Sequence, residues 1–221
     1  MKLTPTLLTC VALLAACSSG PPTPDWQMNA QDSIQRYEAA YLNGDAAIEA
    51  AEWQRAREQI ARSGNIELIA RTELIRCAAR VASLVFEECA GFERLGADGN
   101  AAQRAYAAYL AGRIQPADVA LLPARHRAVA AAVTDTATAA AVQGIADPLS
   151  TLVAAGVLLR AGHGSPALLA LAADTASKQG WRRPLLAWLG AQAMLAEQAG
   201  ATAEAQRIRR RIDLVQGTPG R

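Results

Sequence analysis

Lysine is almost missing from this chain: Lys2 and Lys178 are the only two, and the remaining basic residues are all arginine. Histidine is as scarce, confined to His126 and His163. Four Trp, four Tyr and two Phe leave little aromatic material for a core. No window alternates apolar and polar residues for long, which removes support for half-buried strands. There is no His-Glu-x-x-His pattern and no cysteine pair at zinc spacing, so no metal site is expected. No G-x-S-x-G elbow occurs, and no carboxylate pair stands out. Gly162-His163-Gly164 joins two expected helices without a preceding strand or a third glycine, so it is no phosphate cradle. Catalytic and cofactor-binding residues are therefore both expected to be none. The formal net charge of +2 lacks the basic excess of a nucleic-acid binder, and no such partner is expected.

Alanine is what the chain has instead, at 52 of 221 positions. It is the best helix former and lets helices approach closely. The expected class is all-α: antiparallel helical hairpins, stacked as a small solenoid or gathered in an irregular bundle.

The N-terminus carries Lys2, then an apolar stretch from Leu7 to Ala16. At about ten residues it matches the apolar region of a signal peptide and is too short to span a bilayer. It closes on Leu14-Ala15-Ala16-Cys17, which resembles the lipobox of bacterial lipoprotein precursors. That resemblance implies removal of residues 1–16, a diacylglyceryl group on the Cys17 thiol, and often acylation of the new amine. Several acyl chains on one residue make release negligible, whereas one alone anchors only marginally. Ser18 implies outer-membrane sorting, with the protein facing the periplasm. Residues 17–25, including SSGPPTPD, read as an extended tether.

Cys77 and Cys89 remain as an even pair in an oxidising compartment. They flank an expected helix end near Ser83 to Phe86, where the chain would double back. A disulfide between them is expected, with two buried thiols as the alternative. Glu87 and Glu88 beside Cys89 read as a solvated turn.

Three subdivisions follow the tether: a helical subdomain over 26–112, connecting helices over 113–146, and a hairpin array over 147–221. In the first, Ile34, Tyr37 and Tyr41 form one inward stripe, stopped at Asn43-Gly44. Asp45 is expected to cap a second helix, with Ile48, Trp53, Ala56 and Ile60 inward. Asn65 starts a third, with apolar residues around most of its circumference, expected to be the most buried helix of this half. A fourth covers Ala101 to Leu110. The loosest packing is expected between Ala111 and Asp147.

In the last third, Asp147-Pro148, Ser165-Pro166 and Arg183-Pro184 recur every eighteen residues. Proline favours the first helical position, and Asp or Ser before it caps free amides. Two such units make a hairpin of about thirty-six residues, near the tetratricopeptide period. Leu189, Ala193, Gly200, Ala205 and Ile212 resemble that repeat's large, small, turn, small and large positions; the helix-A aromatic and closing proline are missing. A generic array of α-hairpins is the alternative.

His126, between Arg125 and Arg127, reads as a surface helix residue whose basicity the neighbouring charge lowers. His163 reads as a turn residue. Arg207, Arg209, Arg210 and Arg211 form a basic cluster, with Ile208, Ile212 and Leu214 supplying apolar contacts. Arg207, Arg210 and Arg211 are candidates for an anionic partner surface; the alternative is the charged outer face of a capping helix. Lytic transglycosylases of the cell envelope also combine a lipobox with alanine-rich helices, but their catalytic Glu is followed by Ser, and no Glu-Ser pair occurs here. The expected function is therefore an anchored helical module that binds an envelope protein. The alternatives are an accessory envelope lipoprotein with no dedicated groove and a degenerate peptidoglycan-processing enzyme.

Overall fold

The structure, a computed structural model, describes residues 23–217. The Cys17 lipid site, the signal segment and most of the tether lie outside the described residues. Within them the protein is all-α: α1 (Asp25–Asn43), α2 (Ala46–Ala61), α3 (Ile66–Ala82), α4 (Ala90–Glu93), α5 (Ala101–Leu110), a 3-10 turn (Pro116–Leu121), α6 (Ala124–Ala131), α7 (Asp135–Gln143), α8 (Pro148–Arg160), α9 (Pro166–Gln179), α10 (Arg182–Gln198) and α11 (Thr202–Gln216).

The first hairpin, α1–α2, turns on Gly44, whose φ of 87° lets its N–H reach the carbonyls of Ala40 and Tyr41. Asp45 stands at the start of α2, but its side chain makes no cap bond, contrary to expectation. Ile48 also departs from expectation. It lies on the stripe of Glu52, Ala56 and Ile60, yet it is 53% exposed because the first turn of α2 lies outside the packed layer. Tyr37, Tyr41 and Trp53 are buried together in a small aromatic cluster that also takes Leu42 and Ala79. Beside it, α2 buries Glu52 between Arg36 and Arg55. Burial works against that charge, but the two guanidiniums outweigh it and hold the carboxyl below its ordinary range.

Asn65 caps α3 by accepting from Leu68 N–H at 3.2 Å. At its other end Leu84 adopts φ of 59°, a left-handed conformation rare outside glycine, while Val85 N–H closes back on Arg80. This is the reversal that returns the chain toward α3, and Cys77 and Cys89 are joined across it with Cα atoms 5.8 Å apart.

The C-terminal helices stack in sequence, α8 on α9, α9 on α10 and α10 on α11. Asp147 and Ser165 cap α8 and α9, accepting from Ser150 N–H at 2.9 Å and Leu168 N–H at 3.2 Å, with proline at the first position of each. The third eighteen-residue step is displaced. Trp181 precedes α10, so Pro184 falls at the third position and Arg183 lies inside the helix. There Arg183 serves another purpose, donating to the Tyr41 carbonyl at 2.6 Å and pairing with Glu49 at 2.9 Å.

In a hairpin array the alternate helices form one layer, here α8 and α10. The N-terminal helices cover it: α3 packs on α8, and α1 on α10. The approach of α3 to α8 is close enough that a Cβ on Gly156 would lie 2.3 Å from the Val81 carbonyl oxygen. As a result α8 is buried continuously from Ser150 to Leu158. One hydrophobic core runs from Ala70 to Ile208, drawing on 26–112, 113–146 and 147–221 alike. The array is therefore closed along this layer by its own chain.

Candidate functional site

Where α1, α3, α5, the 3-10 turn with α6, and α8 converge, they enclose a cleft of about 630 Å³. Its floor is apolar, with Leu74, Leu122 and Val153 all buried. Charged and polar groups come from every wall: Glu38 from α1, Glu67 and Arg71 from α3, Tyr106 from α5, Arg125, His126 and Arg127 from α6, and Asp147 and Ser150 from α8. Clefts of roughly 300–1,000 Å³ with this mixture of apolar floor and convergent polar groups are the usual shape of small-ligand sites.

Helix α6 supplies His126, and here the structure corrects the surface-residue reading. His126 is 2% exposed and stands against Tyr106 and Tyr109, with ring centroids 5.7 and 5.1 Å away. The cause is the inward face of α6, on which His126 and Val129 lie three residues apart and are both buried. Arg125 and Arg127 point the neighbouring positions outward, where both are exposed. The Tyr109 hydroxyl lies 3.3 Å from His126 Nδ1. Burial pushes the Tyr109 hydroxyl far above its ordinary range, so it stays protonated and can donate to Nδ1. In that tautomer the ring proton lies on Nε2; in the other, Nδ1–H donates to the hydroxyl and Nε2 is the free acceptor. Burial, helped by the Arg125 charge, lowers the imidazole to about 4, and the ring is neutral at pH 7.

Glu38 is half-buried. Burial raises its carboxyl, and the facing charge of Asp147 raises it further. Asp147 is held in place by the α8 amide it caps and by Arg125, whose Nη1 lies 3.4 Å from Oδ2 and 3.2 Å from Ser150 Oγ. Arg127 donates from Nε to the Leu122 carbonyl at 2.7 Å, and Glu67 accepts from the Asn100 amide. Burial also pushes the Tyr106 hydroxyl well above its ordinary range.

A second cavity of about 350 Å³ lies beside the disulfide, lined by Glu87, Glu88 and Glu93 opposite Arg104, Arg113 and Arg160. Two of its carboxylates have cations beside them: Glu87 pairs with Arg80, which lies outside the lining, at 2.6 Å, and Glu88 stands 3.9 Å from Arg160.

The arginines of α11 do not join either cavity. Arg207 pairs with Glu204 one turn earlier, and Arg209 with Glu197 of α10 at 2.6 Å. Arg210 and Arg211 are exposed, with no ion pair among the described residues. Leu214, expected to pack, is 77% exposed because α11 is the outermost helix of the stack. His163 is exposed in its turn. Among the described residues no three His, Cys, Asp or Glu side chains are placed to hold a metal, and no helix is long and apolar enough to cross a membrane.

Nothing in the sequence singled out Glu38, Arg71, Tyr106 or Asp147 as partners, since they come from four separate helices or caps. The spacing of His126 and Val129 was the one available signal. No protein-family model matches this chain, and comparison with curated proteins and with solved structures finds no match either.

Proposed function

We propose that this protein is a lipoprotein held by lipid on Cys17 at the periplasmic face of the outer membrane, where it acts as a helical binding module. The observation that carries the reading is Leu14-Ala15-Ala16-Cys17 at the close of a short apolar N-terminal stretch. Support comes from the Cys77–Cys89 disulfide, a bond suited to an oxidising compartment. The binding surface is the cleft at the meeting of α1, α3, α5, α6 and α8. The layer of α8 and α10 is a poor candidate, because α3 and α1 already occupy it.

That same covered layer favours a second reading, in which the protein is an accessory envelope component without a dedicated binding groove. The cleft speaks for the binding module, since it brings together polar groups from five elements over an apolar floor.

Growth with a labelled fatty acid tests the anchor. Wild type is expected in the outer-membrane fraction carrying label. Cys17→Ser is expected to lose the label and leave the membrane; a Cys17→Ser protein that remains acylated and membrane-bound refutes the reading.

A further inference from the structure

Six charged side chains line the large cleft: Glu38, Glu67, Arg71, Arg125, Arg127 and Asp147. Four of them have partners within the protein. Glu67 accepts from Asn100, Arg127 donates to the Leu122 carbonyl, and Arg125 faces Asp147. Glu38 and Arg71 have neither an ion pair nor a side-chain hydrogen bond among the described residues. They are opposite in sign and belong to different helices, yet they do not reach each other. A half-buried carboxylate left without a cation is costly to keep charged, and the rise in the Glu38 carboxyl reflects that cost.

A third group completes the set. His126 is 2% exposed, its only side-chain hydrogen bond among the described residues is with Tyr109, and its ring lines the cleft. In the tautomer whose Nδ1 accepts from Tyr109, Nε2–H is a neutral donor without an acceptor in the described protein, the form a bound carboxylate would select.

We propose that this cleft binds a small zwitterion, an amino acid or short peptide with free ends, placing its ammonium against Glu38 and its carboxylate against Arg71. His126 Nε2–H donates to the same carboxylate or to a peptide carbonyl, and the apolar floor receives a side chain. The ammonium relieves the repulsion between Glu38 and Asp147, which no cation of the protein does at Glu38. The volume of about 630 Å³ suits a ligand of a few residues and is too small for a folded partner. This inference rests on the reading of the cleft as the binding surface and supplies its ligand class.

The test is calorimetric titration of the full chain in mild detergent, at pH 7, with three probes: Ala-Leu, N-acetyl-Ala-Leu and Ala-Leu-amide. Ala-Leu is expected to bind, and each capped form to bind about ten-fold more weakly, the loss of one charge-assisted contact. Glu38→Gln is expected to weaken Ala-Leu about ten-fold while leaving N-acetyl-Ala-Leu unchanged. Arg71→Gln, at an exposed site, is expected to weaken Ala-Leu and leave Ala-Leu-amide unchanged. A misfolded variant cannot produce that crossed pattern. Equal affinity for free and capped peptides overturns the zwitterion and leaves the cleft a binding site. No heat from any probe up to about 10 mM overturns both the zwitterion and the cleft's role, while label on Cys17 separately reports the anchor.

Discussion

Trp188 reaches from α10 to the end of α3, where its indole N–H donates to the Ala82 carbonyl at 3.0 Å across 106 residues of sequence. The side chain is fully buried, so it fixes the C-terminal array against the helix that covers it. Five residues earlier, Arg183 makes the matching contact to the end of α1, with its guanidinium 4.3 Å from the centre of the Tyr41 ring. Together they explain why α1 and α3 lie on α10 and α8 as a layer instead of leaving a groove.

Trp188→Phe keeps most of the apolar contact and removes the donor. The Ala82 carbonyl is left buried without its partner, which costs about 1–3 kcal/mol. For a domain of this size that lowers Tm by roughly 2–4 °C per kcal/mol. Urea unfolding should show a lower midpoint with an unchanged m-value; an unchanged midpoint would show that water reaches this carbonyl.

Two helical glycines should respond in opposite directions to the same change. At Gly156 a Cβ would lie 2.3 Å from the Val81 carbonyl oxygen, a backbone atom that cannot step aside. Gly156→Ala therefore forces α3 and α8 apart and should cost on the order of 1–3 kcal/mol. At Gly190 a Cβ would meet nothing within 4 Å. Gly190→Ala should stabilise by up to about 1 kcal/mol through helix propensity alone. Paired thermal melts check both signs.

The Cys77–Cys89 bridge closes a loop of sequence separation 12. Its removal by Cys77→Ala with Cys89→Ala should cost about 2–3 kcal/mol in the chain-entropy account. Trypsin without reductant should release CAAR joined to VASLVFEECAGFER, the peptides that carry the two cysteines. Recovery of both as free thiols from protein taken directly from the envelope would refute the bridge.

Local structure was legible where one residue type does one job. Helix α5 covers Ala101–Leu110 as the pattern expected, and Asp147-Pro148 and Ser165-Pro166 start α8 and α9. The pattern failed where tertiary contacts chose between equivalent surfaces. Ile48 has the periodicity of a core residue, but nothing covers that turn of α2. Pro184 has the spacing of a helix start, but Arg183 is drawn into α10, where it reaches Tyr41 and Glu49. The cleft was least legible of all, because Glu38 and Asp147 face each other only after α1 and the cap of α8 meet across the fold. Such a pairing leaves no mark on either segment alone.

His126 should make the protein sensitive to mild acid. Its ring titrates near 6.5 in the unfolded chain and is lowered to about 4 in the fold, by burial first and then by Arg125. Between those values the unfolded chain binds a proton that the native ring refuses, so stability rises with pH there and falls as pH drops from 6.5 toward 4. The native preference for neutral imidazole is complete above 6.5 and lost on passing below about 4. A difference of this size corresponds to about 3 kcal/mol over the whole window. Stability measured by urea titration at pH 7, 6, 5 and 4.5 should decline through this range. His126→Gln keeps an acceptor for the Tyr109 hydroxyl and removes the titrating group, so its decline over the same interval should be shallower by most of that amount. Parallel declines in the two proteins would place the acid sensitivity elsewhere and show that His126 is protonated in the fold without strain.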